Sequence, residues 1–130
     1  MQDFRDLKVW QRAHQLVLHI YEATAMFPDT ERFGLTSQIR RAAVSVPANI
    51  AEGSRRGSDA DFARFLQIAI GSTSEVDYFL LLARDLKYLP AHEYESLNAE
   101  IQEIGRMLNG LLSRLRTASS ATSYQLPATS

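Results

Sequence analysis

No cysteine occurs in the 130 residues. That excludes a disulfide framework, thiolate metal sites and a cysteine nucleophile, and it fits a reducing compartment. Net charge is nearly missing too: 14 basic residues face 15 acidic ones, a balance of −1. A chain so close to neutrality has no overall attraction to nucleic acid or membrane, so any such affinity must come from local clustering. No apolar run approaches the length needed to cross a bilayer. The opening "MQDFRDLKVW" is charged and lacks the apolar region of a secretory signal. A cytoplasmic protein without a membrane partner is expected.

The usual catalytic constellations are also missing. There is no GxxxxGK[ST], no GxGxxG and no GxSxG. No Glu-x-x-His pair marks a di-metal bundle. His14 and His19 stand five apart, about 140° around a helix, and cannot share a metal. His92 reads as a solvated residue. Glu52 and Glu75 read as partners for Arg40, Arg41 or Arg64 rather than as acid–base groups. The expectation is a protein without enzymatic activity, cofactor or metal.

What is present is helical periodicity; no segment alternates with the period of a strand. Proline and glycine divide the chain into four segments. The first, after Asp6 as N-cap, carries Trp10, Ala13, Val17, Ile20 and Thr24, and stops before Phe27-Pro28. The second carries Leu35, Ile39, Ala42, Val46, Asn49 and Gly53. The third starts at Ser58, an N-cap with Asp61 three residues on. Its stripe runs Phe62, Phe65, Ala69, Ser72, Val76, Phe79, Ala83 and Leu86. The fourth follows Pro90 with Tyr94, Leu97, Ile101, Ile104, Leu108, Leu111 and Leu115. Spacings of three and four over several turns predict knobs-into-holes packing. Short connections predict an all-α, up-down-up-down antiparallel four-helix bundle over 1–116. The uncharged "TASSATSYQLPATS", 117–130, reads as a disordered tail.

The second segment holds two features of its own. Pro47 removes a backbone donor, so a kinked second helix is expected. Asn49 falls in register with the apolar stripe, where one polar residue fixes alignment; it should bond to backbone or to a neighbouring helix. A second stripe of small residues, Val44, Pro47, Ala48 and Ala51, lies well round from the main one. On the third helix Tyr78, Leu81 and Leu82 fall away from the main stripe. Helices apolar on two faces are normally buried on two faces, so homo-oligomerisation is expected, with Val44, Pro47, Ala48, Ala51, Tyr78 and Leu82 at the interface.

Charge is clustered even though the total is small. From Arg32 to Arg64 six arginines face three acids, a local excess of three that leaves −4 on the rest of the −1 chain. Arg40, Arg41, Arg55, Arg56 and Arg64 are the candidate contacts to RNA or DNA phosphates. Interleaved exposed aromatics are not evident, which argues against base stacking. The turn "GSRRGS" offers a weak phosphate cradle at a helix start; the plainer reading is an interhelical turn in which Gly53 and Gly57 supply backbone freedom. The competing function is a protein-interaction scaffold whose arginines pair across subunits with Glu52, Glu75 or Asp77.

The runs "FGLTSQIRRAAVSVPANIAEG" and "FLQIAIGSTSE", with "DLKVWQRAHQLVLHIY" at the start, resemble the bacterial four-helix-bundle family named for proteins encoded in 23S rRNA intervening sequences. The resemblance covers about residues 4 to 115. It implies a bundle that assembles into a barrel-like homopentamer and a family without established enzymatic activity. A related protein, the accessory variability protein of diversity-generating retroelements, binds nucleic acid and a reverse transcriptase through a basic surface. The pI near 6.3 sets this chain apart from such basic relatives.

Overall fold

The computed structural model describes the backbone of residues 3–129 and the side chains of residues 3–118. Four helices make up the fold: α1 (Lys8–Thr24), α2 (Leu35–Ser54), α3 (Asp59–Asp85) and α4 (Ala91–Thr129). Short 3₁₀ turns, Phe4–Asp6 and Asp29–Glu31, precede α1 and α2. The expected tail lies, from residue 119 on, outside the residues whose side chains are described; 117 and 118 continue α4.

Among the described residues each helix packs on its two neighbours, α1 on α2 and α4, α3 on α2 and α4, and the diagonal pairs make no close approach. Cross-helix contacts set the directions. Thr24, at the end of α1, meets Arg40 near the start of α2. Gly53, at the end of α2, lies against Phe62 and Phe65 at the start of α3. Asp77 late in α3 meets Asn98 and Gln102 early in α4. Arg12 pairs with Glu103 and His19 with Glu100, so α4 descends as α1 rises. All four contacts are antiparallel, as short connections require.

The buried stripes are Val9, Ala13, Leu16 and Ile20 on α1, and Leu35, Ile39, Ala43, Val46 and Ile50 on α2. Leu66, Ala69, Val76, Leu80 and Ala83 face them from α3, and Leu97, Ile101, Ile104, Leu108 and Leu112 from α4. On α1 Ala13, Ile20 and Thr24 are buried as expected, while Val9 and Leu16 take the places expected of Trp10 and Val17. Trp10 and Val17 flank the core; Trp10 stacks on His14 and meets Phe4 edge-on, with 5.0 Å between ring centroids in each pair. On α3 Leu66 and Leu80 take the centre, while Phe62, Phe65 and Phe79 are half-buried at the rim and Leu86 is exposed. Large rings fit a bundle's edge better than its narrow centre, where close-packed aliphatic side chains fill the space.

The helix ends follow local chemistry. Ser58 caps α3 as expected, its hydroxyl accepting from the Asp61 N–H at 3.1 Å. Asp6 is not the N-cap of α1: it closes the 3₁₀ turn, and Leu7 occupies the cap without a side-chain bond. Gly34 is the N-cap of α2 and has no side chain to cap it, so Glu31 supplies the missing acceptor to the Leu35 N–H at 3.1 Å. α3 ends in a left-handed turn at Lys87, φ 66°, with the Tyr88 N–H returning to the Ala83 carbonyl. Lysine pays about 1 kcal/mol for that conformation, which glycine adopts freely. Lys87→Gly should therefore raise stability by up to about 1 kcal/mol, seen as a higher Tm in a thermal melt.

Helix α2 continues unbroken through the buried Pro47, although the Ala43 carbonyl loses its helical donor there. Asn49 finds its partner two residues beyond: its amide donates to the Ser45 carbonyl at 2.8 Å and to Ser45 Oγ at 3.0 Å. Ser72 Oγ on α3 completes the chain to Ser45 Oγ at 2.8 Å. The expected polar alignment of α2 thus reaches α3 through Ser45 rather than directly.

Candidate nucleic-acid interface

The five candidate arginines fall into two groups at opposite ends of α2, about 22 Å apart along its axis. Arg40 and Arg41 lie on its first turns, beside the α1–α2 connection. Arg55, Arg56 and Arg64 lie at the α2–α3 turn.

At the α2–α3 end each guanidinium is already engaged. Arg55 sits over the Phe4 ring at 4.7 Å, with Arg5 also over that ring at 4.5 Å. Arg56 and Arg64 both lie over Phe65, at 4.9 and 4.6 Å. Arg56 also approaches Glu52 at 3.6 Å, and Arg64 approaches Asp61 at 3.8 Å. Glu52 therefore pairs with Arg56, four residues on, and not with Arg40, Arg41 or Arg64. Gly57 uses the backbone freedom expected of it, at φ 85°, but Gly53 is helical and matters for close packing instead. The "GSRRGS" cradle is closed to a phosphate: the Ser58 hydroxyl is used as the cap, and Asp59 and Asp61 place negative charge in the same turn.

At the other end three cations share one groove of about 520 Å³ between α1 and α2. Arg32, Arg40 and Arg41 line it with the hydroxyl residues Tyr21, Thr36 and Ser37 and the apolar Phe33 and Val44. No carboxylate belongs to the lining. Glu31, next to Arg32 in sequence, is engaged by the Leu35 N–H and, at 3.0 Å, by the Tyr88 hydroxyl. The three guanidiniums are held differently. Arg40 is fixed, its Nε donating to Thr24 Oγ1 at 2.8 Å, its Nη2 to the Tyr21 carbonyl, and its plane 4.4 Å from the Tyr21 ring. Arg41 is exposed and makes no hydrogen bond, ion pair or ring contact among the described residues. Arg32 lies 5.3 Å from the Phe33 ring, and Phe33 is 88% exposed.

This groove corrects one expectation. An exposed aromatic does stand among the arginines. Phe33 belongs to a turn, where no periodicity reports burial. Arg32, part of the basic cluster but not one of the five expected contacts, lies in the same turn. A Phe-Gly pair ahead of a helix, beside an arginine, was the available signal.

The opposite side of α1 carries an acidic groove of about 330 Å³, with Glu22, Glu93 and Glu100 around His19 and the exposed Met26. His19 Nδ1 donates to Glu100 at 2.9 Å, and the Gln15 amide donates to His19 Nε2 at 3.2 Å. Among the described residues no group of three or more acidic, histidine or cysteine side chains is placed to hold a metal ion.

Of the expected contacts between copies, Val44 and Tyr78 are exposed at 41% and 57%, Ala48 is exposed, and Ala51 and Leu82 are half-buried. Pro47 is buried within its own bundle and has no surface to offer another copy. Val44 belongs to the basic groove as well, so the two expected surfaces meet there. Asp77 is held by Asn98 and Gln102 of its own chain, while Glu75 is exposed.

Tyr88 gives this end of the bundle a pH dependence. Its hydrogen bond to the Glu31 carboxylate holds the phenol above its ordinary pKa of 10.0. A pKa raised in the folded state contributes stability below about pH 10, and that stability is lost as pH rises through the folded value. Tyr88→Phe should therefore destabilise the fold at pH 7 to 9, and the difference from wild type should shrink in melts above pH 10.

The family model described as 23S rRNA-intervening sequence protein matches residues 5–110. The chain is also similar to a crystal structure from Bacteroides thetaiotaomicron, described as a protein with unknown function from the S23 ribosomal protein family. The two share 29% identity over 80% of this chain and 97% of the other, with a TM-score of 0.72. No curated protein matches the sequence. No helix among the described residues is long and apolar enough to cross a membrane.

Proposed function

The chain belongs to the 23S rRNA-intervening sequence protein family, and from that premise we propose that it is a cytoplasmic, non-enzymatic bundle that binds RNA or DNA through phosphates. The observation that carries this is the groove of Arg32, Arg40 and Arg41, which gathers three guanidiniums with no carboxylate in its lining. Guanidiniums bind phosphate oxygens through paired N–H donors, and phosphate contacts supply most non-specific affinity for nucleic acid. Arg40 is pre-oriented by Thr24 and Tyr21, whereas Arg41 and Arg32 have donors to give. Arg55, Arg56 and Arg64 form a second cationic patch, weakened by Glu52 and Asp61 beside it. The test is titration of a labelled oligonucleotide at about 50 mM salt, where saturable binding is expected. No binding at that salt removes the proposal.

Self-association is a second part of the reading, supported by the exposed Val44 and Ala48 on α2 and Tyr78 on α3. Repetition of one modest groove around a ring would multiply its avidity. The resemblance that suggests a pentamer also sets the expectation for light scattering. A monomer at micromolar concentration would contradict it and leave the groove as a single site.

A further inference from the structure

Phosphate binding gives Phe33 no role. Its ring remains 88% exposed in the turn that leads into α2. A single exposed hydrophobic residue is ordinary, but this one lines the groove that holds the three guanidiniums. Arg32 lies against the ring at 5.3 Å, and Tyr21 in the same groove carries the Arg40 guanidinium at 4.4 Å. Planar cations and rings therefore line the groove side by side. Every nucleobase has a face that stacks on such surfaces, whatever its sequence. A duplex hides those faces between neighbouring pairs and offers the groove only its phosphates.

Resting on the phosphate-binding reading above, we infer that the groove takes single-stranded nucleic acid, an unpaired base stacking on Phe33 while Arg32, Arg40 and Arg41 hold the flanking phosphates. Ser37 and Thr36, also in the lining, supply hydroxyls at the groove wall. Tyr21 holds Arg40 in place from beneath. The ligand class is thus an unpaired segment of RNA or DNA, selected by an accessible base face rather than by sequence.

The experiment uses the full-length protein and a fluorescein-labelled oligonucleotide of about 20 nucleotides. It is presented as a single strand, as its blunt duplex, and as a single strand with abasic central positions. Anisotropy at about 50 mM salt reads the affinities. The single strand should bind roughly tenfold more tightly than the duplex, and abasic positions should remove that advantage. Phe33→Ala should weaken single-strand binding roughly tenfold and leave duplex binding and the salt slope unchanged, while Phe33→Trp should preserve the preference. Phe33 lies outside every helix, so neither variant should disturb the fold. Equal affinity for both forms, with Phe33→Ala inert, overturns base stacking while leaving phosphate binding intact. Absence of binding to either form removes the phosphate reading and this inference together. A Phe33→Ala protein whose oligomeric state falls while its single-strand preference stays would assign the ring to a contact between copies, and would also overturn the inference.

Discussion

Reversing two charges, Arg32→Glu with Arg41→Glu, should weaken nucleic-acid binding on the order of 50- to 100-fold at about 50 mM salt. Both side chains are exposed, and among the described residues neither holds the fold through a hydrogen bond or ion pair. Stability should change by no more than about 0.5 kcal/mol, the usual range for such surface positions. A thermal melt alongside the binding curve checks that separation. Arg40 would be a poor choice for the same test. It ties α2 to α1 through Thr24 and Tyr21, so Arg40→Ala should lose about 1–2 kcal/mol of stability along with affinity. If the double reversal leaves affinity unchanged, the groove between α1 and α2 is not the site.

The largest expected effect on the fold comes from a glycine. A Cβ on Gly53 would meet Phe65 Cβ at 2.8 Å, Phe62 Cδ1 at 2.9 Å and the Phe62 carbonyl at 3.3 Å. Two of those three atoms sit on or next to the backbone of α3, so the contact opens only if the helices separate. Glycine to alanine inside a helix ordinarily gains about 1 kcal/mol in propensity. Here overpacking of about 1–3 kcal/mol opposes it. Gly53→Ala should be net destabilising, and Gly53→Val should cost about 3 kcal/mol or more. Gly71 provides the control on the neighbouring helix: a Cβ there meets nothing within 4 Å. Gly71→Ala should raise stability by up to about 1 kcal/mol, so chemical denaturation should give opposite signs for one substitution at two sites. The same sign at both would contradict the close approach of α2 and α3.

Period and punctuation are local, so the four helices, the Ser58 cap and the start after Pro90 were legible. The lateral position of a stripe is less so, because spacings of three and four fit two adjacent rows equally well. Hence Val9 rather than Trp10, and Leu66 rather than Phe65, occupies the buried row. Gly53 lay in the expected stripe, but the closeness of α3 that makes it necessary is a long-range fact. The basic cluster was legible as composition, whereas its division into two ends, and the pairing of Arg56 with Glu52 and Arg64 with Asp61, depended on helix geometry. Phe33 and Arg32 sit in a turn, where neither period nor cap reports on exposure.

The acidic groove on the far side of α1 sharpens the account of charge. A net of −1 conceals two opposed surfaces, one lined by three arginines and the other by three glutamates. Near-neutrality therefore does not argue against phosphate binding, because the cations that matter lie within one groove and attraction between charges is local at physiological salt.

The central claim, that this groove engages phosphates, is tested most directly by the salt dependence of single-strand binding. Three contacts predict a slope of about −2 for log affinity against log salt, falling to about −1 or less in the Arg32→Glu, Arg41→Glu protein. A flat dependence in the wild type, or a slope that the double reversal leaves untouched, would contradict it.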